Sequence, residues 1–206
     1  TGKTTIIKVL LNLFRKAEME VALCAPTGRA ARRITETTGE DAKTLHRLLE
    51  LGKTEDDKLN IDYAVNKIKQ HVVIVDEMSM VDIHLFHALL KAIAPGTRLI
   101  LVGDVDQLPS VGAGNVLRDI IESGVFPVIT LTKIFRQAAS SRIITNAHRI
   151  NHGEYPDLSN SRGTDFFYQA SEEAEQAAQI VVNLVKDRLP KFYHVAPQAI
   201  QVLTPM

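Results

Sequence analysis

The fold is decided by the segment His71-Val72-Val73-Ile74-Val75-Asp76-Glu77. Four consecutive aliphatic residues predict a strand that is buried on both faces of a sheet. The two acids follow this strand directly, which places them at the carboxyl edge, where open α/β sheets bind ligands. In a nucleotide hydrolase, one such acid can hold Mg²⁺ through its water shell while the other polarises the attacking water. An isolated Asp-Glu pair can also open a turn or cap a helix, so the hydrolase interpretation requires a phosphate-binding segment elsewhere in the chain.

The beginning of the chain contains a candidate for that segment. Thr1-Gly2-Lys3-Thr4-Thr5 runs directly into the amphipathic residues 6–14, which predict a helix. Gly-Lys-Thr before a helix is the second half of a phosphate-binding loop, in which free N–H groups and the positive end of the helix dipole face the phosphates. Lys3 would reach the β- and γ-phosphates, and the Thr4 hydroxyl would bind Mg²⁺. Because the first half of the loop is absent, we expect residue 1 to be an internal position of a longer protein.

Three further aliphatic runs predict strands at residues 20–26, 98–104 and 127–132. Gln107, in the turn after the second of these, is placed to sense a γ-phosphate by hydrogen bonding. Arg136 follows the third, and an arginine beyond a strand end can stabilise the charge that develops on a transferred phosphoryl group. Taken alone, the tetrapeptide Ile134-Phe135-Arg136-Gln137 is better explained as a surface loop.

Two segments are candidates for contact with nucleic acid. Thr27, Gly28 and Arg29 begin a short basic helix, and a turn of this type can hold a phosphate through backbone N–H groups. A solvated helix face is the alternative. His46, in a predicted helix at residues 43–49, is interpreted as a structural or nucleic-acid-contacting side chain, because no partner base or metal set surrounds it. The polar residues 51–70 are interpreted as an insertion on the sheet that either touches a nucleic-acid strand or has no role.

The remaining elements extend the alternation of strands and helices. Predicted helices cover residues 83–93, 115–122, 140–151 and 171–189, a linker covers 159–164, and strands cover 165–169 and 199–204. Ser79, Asp82 and Ser171 are of the residue types that cap helices. The alternation predicts an α/β fold of the RecA-like P-loop NTPase type, with a mainly parallel sheet flanked by helices.

Bulk composition narrows the class of protein. The 206 residues suffice for one large domain, or for one domain and the beginning of another. Basic and acidic residues are balanced at 24 each, which neither supports nor excludes a nucleic-acid groove. The single cysteine, Cys24, excludes an internal disulfide framework and fits a reducing compartment. The sequence has no signal-peptide pattern and no apolar run near the roughly 20 residues of a membrane span, so we expect a cytoplasmic protein without membrane contact.

Together, the motifs resemble those of superfamily 1 helicases in their order and spacing. They are Gly2-Lys3-Thr4-Thr5, Ala25-Pro26-Thr27-Gly28-Arg29-Ala30-Ala31, Asp76-Glu77-Met78-Ser79-Met80, Gly103-Asp104-Val105-Asp106-Gln107-Leu108-Pro109 and Ile134-Phe135-Arg136-Gln137. The patterns Asp-Glu-x-Ser-Met-Val-Asp, Gly-Asp-x-Asp-Gln-Leu-Pro-Ser-Val-Gly-x-Gly and Phe-Arg-Gln indicate the RecD/TraA-type branch, which comprises bacterial 5′-to-3′ DNA helicases and includes the exodeoxyribonuclease V alpha chain. The resemblance covers nearly the whole chain.

The resemblance implies ATP and Mg²⁺ as cofactors and a role for each matching residue. It assigns nucleotide binding to Gly2, Lys3, Thr4, Thr5 and Asp76, with Mg²⁺ held by Thr4 and Asp76, and it assigns catalysis to Glu77, Gln107 and Arg136. In this family the segment that matches Thr27, Gly28 and Arg29 lies along single-stranded DNA. His46 is assigned to the same set of nucleic-acid-contacting residues. Residues 51–70 would correspond to the small inserted hairpin of the family, a candidate wedge against the duplex.

The resemblance further implies that residues 1–158 form a first RecA-like ATPase domain and that residues 159–206 are a linker and the beginning of a second. The expected function is an ATP-dependent DNA helicase or translocase motor that serves recombination, repair or conjugation. Its expected partners are single-stranded DNA, duplex junctions, the second RecA-like domain of the same chain and a nuclease/helicase complex. Because the later family motifs are absent, these residues alone are not expected to unwind DNA. An ATPase that remodels protein–DNA complexes without strand separation and an inactive helicase-fold scaffold subunit remain as alternatives.

Overall fold

The computed structural model describes residues 2–51, 68–131 and 141–204. The chain divides into two compact units, Thr1–Phe135 and Arg136–Met206. This division groups residues by mutual contact and not by fold type. The predicted domain boundary between residues 158 and 159 therefore stays a prediction.

The first unit is built on a parallel four-stranded sheet in the order β2-β1-β3-β4. Its strands are β1 (Val21–Ala25), β2 (Ala42–Thr44), β3 (Val72–Val75) and β4 (Arg98–Leu101). In the register of the sheet, Val75 lies opposite both Cys24 of β1 and Leu101 of β4. The predicted strands at 20–26 and 98–104 are confirmed with shorter bounds, and the strand predicted from the four aliphatic residues 72–75 is confirmed with those bounds. The sequence did not predict β2, since three residues carry too little periodicity to be recognised.

Strand β3 has a neighbouring strand on each side, and every one of its residues is buried. Successive side chains of a strand point to opposite faces. Val72 and Ile74 accordingly pack with one cluster and Val73 and Val75 with the other. Helices α1 (Lys3–Lys16) and α2 (Gly28–Thr38) contribute Ile7, Leu11, Ala31 and Ile34 to the first cluster. Helices α3 (Leu45–Leu48), α4 (Ile83–Ala92) and α5 (Val116–Glu122) contribute to the second cluster, among others with Leu45, Leu89 and Leu117. Each fully buried aliphatic side chain contributes about 1.5–3 kcal/mol, so the two-sided burial of β3 holds the acids that follow it in place.

The helices of the first unit are α1 (Lys3–Lys16), α2 (Gly28–Thr38), α3 (Leu45–Leu48), α4 (Ile83–Ala92) and α5 (Val116–Glu122), and a 3₁₀ turn spans Met78–Met80. The predicted helices at 83–93 and 115–122 are confirmed. Asp82 caps α4 as expected, whereas Ser79 lies inside the 3₁₀ turn and caps nothing. The predicted helix at 43–49 is shorter than expected because Lys43 and Thr44 pair in β2.

The predicted strand at 127–132 is wrong over its described part, because residues 127–131 form no strand. Ile129 is 88% exposed and Val128 is 45% exposed. High β-propensity alone does not form a strand, since a strand needs a partner for its backbone hydrogen bonds.

The second unit contains α6 (Arg142–Asn151), α7 (Ala174–Asn183), a π-helical turn (Leu184–Arg188), α8 (Leu189–Tyr193) and a 3₁₀ turn (Pro197–Ala199). The predicted helices at 140–151 and 171–189 are confirmed with changed bounds, and Glu173, not Ser171, is the N-cap of α7. The predicted strands at 165–169 and 199–204 are wrong in the described residues, which are irregular or 3₁₀-helical there. Most of their large apolar side chains are exposed, including Phe167 at 60% and Leu203 at 84%, so little burial is available to hold these segments extended.

The start of α6 is held by the carboxylate of Asp165. Its Oδ2 accepts a hydrogen bond from Ser141 Oγ at 2.5 Å, and its Oδ1 accepts one from the backbone N–H of Arg142 at 2.8 Å. The hydrogen bond from Ser141 is the main cause that lowers the pKa of Asp165 below its usual value. An anionic group at a helix N-terminus is also favoured by the helix dipole.

We predict that Asp165→Asn weakens the acid sensitivity of the second unit. Because the folded-state pKa lies below the unfolded value of 3.8, the unfolded chain binds the proton more readily. The stabilisation is therefore complete above that value and is lost as the pH falls through the folded pKa. Thermal unfolding followed between about pH 6 and about pH 2 should show a smaller decline for Asp165→Asn than for the unsubstituted protein. Glu172→Gln, at an exposed position, is the control for the loss of one acid, and identical declines for Asp165→Asn and the parent would contradict the prediction.

Candidate functional site

The carboxyl edge of the sheet brings the lysine of the predicted phosphate loop close to Glu77 of the acidic pair. Lys3 lies in the first turn of α1, and Glu77 follows β3 after one residue. Lys3 Nζ lies 3.8 Å from Glu77 Oε2, and their side chains are 16% and 23% exposed. Residues that are separated by most of the first unit's sequence therefore form one ion pair at the end of the central strand.

The two charged atoms of this pair, Lys3 Nζ and Glu77 Oε2, are buried and have no hydrogen-bond partner within the described part of the chain. A separation of 3.8 Å is too long for a hydrogen bond between them. Buried charged groups are normally hydrogen-bonded, because removing them from water is costly. A buried cation and a buried carboxylate without hydrogen bonds form a site suited to a phosphate and a water molecule. The phosphate oxygens would accept hydrogen bonds from the lysine, and the water would donate one to the carboxylate.

The backbone of Glu77 is held in the left-handed region, with φ 52° and ψ 42°. A residue with a Cβ pays about 1–3 kcal/mol for such a conformation, so the surrounding bonds must enforce it. Asp76 Oδ1 accepts a hydrogen bond from the N–H of Glu77 at 2.9 Å. The N–H of Asp76 donates to Cys24 O at 2.9 Å, and the N–H of Met78 donates to Val102 O at 3.0 Å. The neighbouring chain segments therefore fix the direction in which Glu77 leaves the sheet.

The other residues of the predicted phosphate loop lie at the start of α1. Gly2 is the N-cap, and its carbonyl accepts a hydrogen bond from the N–H of Ile6 at 3.0 Å. Thr4 is half-buried and Thr5 is exposed. The first turn of α1 contains no acidic residue that would compete with a phosphate for its N–H groups.

Gln107 is not placed against the lysine or the acids by any contact that the structure shows. Its side chain is exposed, and its amide Nε2 donates to Asp104 Oδ2 at 3.4 Å. The backbone N–H of Gln107 also donates to Asp104 O, at 3.3 Å. Sequence reasoning missed this role of Asp104, although an Asp three residues before a Gln in a turn is a signal for such a local hydrogen bond.

The candidate nucleic-acid residues lie at the same edge of the sheet. Ala25 pairs with Thr44 in the register of β1 and β2, so the segments that lead to α2 and α3 leave the sheet side by side. Arg29 and His46 are exposed on these helices. Thr27 is the N-cap of α2, and its Oγ1 accepts a hydrogen bond from the N–H of Ala30 at 3.2 Å. Gly28 is exposed, and a Cβ added there would meet nothing within 4 Å, so the backbone at this turn is open to a ligand.

Arg136 and residues 52–67 of the predicted insertion lie outside the described residues. Burial raises the pKa of the Cys24 thiol to about 12, and its Sγ donates to Ile74 O at 3.5 Å. Cys24 is therefore a core residue with no reactive thiolate. Among the helices of the described segments, none is long and apolar enough to span a membrane.

Comparison with known proteins places the chain in a family. A family model described as an AAA domain matches residues 1–171. All 206 residues align at 40% identity with the ATP-dependent RecD2 DNA helicase of Deinococcus radiodurans, of which they span 27%. An alignment with the RecBCD enzyme subunit RecD of Mycolicibacterium smegmatis is 41% identical and covers 59% of this chain and 26% of that protein. The chain thus spans about a quarter of the length of these curated relatives.

The fold comparison agrees with the sequence comparison. The crystal structure of the Pif1 helicase from Candida albicans is similar with a TM-score of 0.53 and 25% identity, over 88% of this chain and 48% of that one. The likeness to a helicase of this fold confirms the predicted RecA-like α/β class, and the RecD proteins confirm the predicted resemblance to the RecD/TraA-type branch. The chain therefore belongs to the AAA domain family, and its relatives there include RecD-type DNA helicases.

Proposed function

We propose that this chain is the ATP-hydrolysing part of a DNA helicase or translocase motor that moves along single-stranded DNA in the 5′-to-3′ direction. The observation that carries the proposal is the buried pair of Lys3 Nζ and Glu77 Oε2, which lie 3.8 Å apart without hydrogen-bond partners among the described residues. Relatives named as an ATP-dependent DNA helicase and as a RecBCD subunit support the proposal that the motor moves along DNA.

The residues divide the work of hydrolysis between them. Lys3 binds the β- and γ-phosphates and, in doing so, releases its hold on Glu77. The freed carboxylate then orients the attacking water and accepts its proton, a role for which its fixed backbone pre-organises it. Bound Mg²⁺ would neutralise phosphate charge. The Thr4 hydroxyl and the Asp76 carboxylate fit it, because hydroxyl and carboxylate oxygens are the ligands that this cation takes.

Two further groups complete the proposed reaction. Gln107 leaves Asp104 and bonds to the γ-phosphate, which reports the nucleotide state to the rest of the chain. Arg136 stabilises charge in the transition state. Gly2 and Thr5 take part in the phosphate loop through the first turn of α1.

The proposed partners rest on the exposed residues at the carboxyl edge of the sheet and on the names of the relatives. We infer that single-stranded DNA runs over Thr27, Gly28, Arg29 and His46, with duplex junctions as the substrate to be separated. A second RecA-like domain closes on the nucleotide, and a cytoplasmic nuclease/helicase complex of the RecBCD type is one assembly in which the motor would act. The name of the Mycolicibacterium smegmatis relative supports that assembly.

Removal of the lysine tests the proposal. In the full-length protein, Lys3→Ala should lower kcat/KM for ATP by about 10²–10³, because one preorganised positive charge at the phosphates is lost. The measurement is the steady-state ATPase rate with and without single-stranded DNA. Lys8→Ala, which removes an exposed lysine of the same helix, is the matched control. Unchanged hydrolysis in Lys3→Ala would overturn the assignment of the site.

The same assay separates the alternatives. Strong stimulation of hydrolysis by single-stranded DNA is the expected result for a motor on that track. Hydrolysis that ignores DNA would favour an ATPase that remodels protein–DNA complexes. A folded protein that hydrolyses nothing in the presence of Mg²⁺ would favour a scaffold subunit.

A further inference from the structure

The loop between β4 and α5 carries Gln107 and is anchored near its beginning. Asp104 accepts hydrogen bonds from the backbone N–H of Asp106 at 3.2 Å and from the side chain of Gln107 at 3.4 Å. Arg118 of α5 donates from Nη2 to Val105 O at 3.3 Å. The first half of the loop is thus held by hydrogen bonds to its own Asp104 and by one hydrogen bond from α5.

The second half of the loop is anchored on a different element, the start of α4. Ile83 is the first residue of α4, and its N–H donates to Ala113 O at 2.9 Å. This bond satisfies one of the N–H groups that every helix start leaves without an internal partner. Ser110 Oγ donates to Gly112 O at 3.0 Å and to Gly114 O at 3.3 Å, which ties the turn onto itself.

The approach of the loop to α4 is so close that it requires glycine at position 112. A Cβ built on Gly112 would lie 2.2 Å from Asp82 Oδ2 and 2.7 Å from Asp82 Cβ, distances that real Cβ atoms essentially never show. Asp82 cannot simply turn away, because its Oδ1 accepts the capping hydrogen bond from the N–H of Leu85 at 2.8 Å. A side chain at 112 must therefore push the loop away from α4 or break the cap. Gly114, with φ +91°, lies less tightly against α4, since a Cβ there would come within 3.3 Å of Ile83 Cβ.

The start of α4 is in turn joined to Glu77 through the 3₁₀ turn. The N–H of Met80 donates to Glu77 O, and the N–H of Val81 donates to Met78 O, both at 3.1 Å. Val81 is only 1% exposed, so the segment that connects the acid to Asp82 is packed in the core. These hydrogen bonds and the buried Val81 thus connect the acid, through the start of α4, to the second half of the loop that bears Gln107.

We propose that Gly112, Ala113, Asp82 and Ile83 form a clamp that keeps the Gln107 loop at a set distance from Glu77. Gly112 and Asp82 are then positioning residues, which act on the reaction through Gln107 and do not touch the nucleotide. This inference rests on the proposed function. It explains why a Gly-x-Gly segment follows the Gln-containing turn in this chain: the glycines serve contact with α4 and not contact with phosphate.

The test is to open the clamp with one methyl group and to close it again with a second substitution. In the full-length protein, Gly112→Ala should lower kcat for ATP by about 10²-fold, the scale of a small misplacement of a catalytic group. Affinity for a fluorescent ATP analogue should stay unchanged, because the phosphate loop is not altered. Hydrogen exchange should become faster at the N–H of Ile83 and in residues 104–108.

The second substitution is Asp82→Gly, added to Gly112→Ala. It removes the three atoms that the new methyl group would strike, and glycine is itself an accepted N-cap residue. The double variant should regain most of the lost kcat and slow the exchange again. Gly96→Ala is the control for a strained glycine replacement elsewhere in the first unit, since a Cβ there meets no atom within 4 Å although φ is +88°.

The outcomes separate the clamp from the function on which it rests. Loss of turnover in Gly112→Ala with recovery in the double variant supports the clamp. Wild-type turnover in Gly112→Ala, or a loss that Asp82→Gly does not restore, overturns it while leaving the proposed function intact. A parent protein without ATPase activity overturns the proposed function itself.

Discussion

Glu77→Gln is expected to lower kcat for ATP hydrolysis by about 10²–10⁴ while nucleotide binding is retained, because a general base is lost without a change of shape. Glutamine has nearly the volume of glutamate and can keep the hydrogen-bonded turn around residue 77. The amide cannot accept the proton of the attacking water. Its neutral charge also removes the ion pair with Lys3, which leaves the lysine free for phosphates. Turnover should therefore fall, while the affinity for nucleotide should stay the same or rise.

The measurement is single-turnover hydrolysis beside equilibrium binding of an ATP analogue, each with and without single-stranded DNA. Glu18→Gln is a matched control, since Glu18 is also a glutamate in the left-handed region, with φ 53°, and is exposed. Normal DNA-stimulated hydrolysis in Glu77→Gln would remove Glu77 from the mechanism. A loss of folding in Glu77→Gln but not in Glu18→Gln would instead show that the Lys3–Glu77 pair is needed mainly for stability.

The parts of the site that could be predicted from sequence are those in which one local pattern determines position. Residues 72–75 are aliphatic without interruption, a pattern that favours a doubly buried strand, so the location of Asp76 and Glu77 at its end follows. A Gly-Lys-Thr before an amphipathic helix likewise determines where Lys3 lies. Both patterns lead to the same sheet edge, and the structure places their charged atoms 3.8 Å apart.

The parts that could not be predicted depend on partners far along the chain. Residues 127–131 have the composition of a strand, yet the described segments offer them no neighbour and they stay exposed. Gln107 hydrogen-bonds to Asp104 and does not contact the Lys3–Glu77 ion pair. This arrangement depends on the path of a loop whose sequence has no periodicity. Contact between Gly112 and Asp82 joins residues of two separate motifs, and only coordinates show how little space lies between them.

Arg136→Ala is expected to have the largest effect, a fall in kcat of about 10³–10⁵ with ATP binding spared, as is typical when an arginine finger is removed. Arg136 lies outside the described residues, and its proposed role rests on the Phe-Arg-Gln motif, which resembles the helicase family. A guanidinium that meets charge only in the transition state lowers the barrier without strengthening ground-state binding. Such a residue must therefore show its effect in kcat alone.

Two further variants make this prediction specific to the guanidinium. Arg136→Lys keeps the positive charge but loses the planar pair of donors, so it should recover only part of the lost rate. Arg162→Ala, at an exposed position of the second unit, is the control for removing an arginine without a proposed role. Equal losses of nucleotide affinity and turnover in Arg136→Ala would mean that the residue contributes to the binding of ATP itself. Arg136 would then belong with Lys3 among the phosphate ligands, and the transition-state charge would have to be stabilised by another group, for which the second RecA-like domain is the expected source.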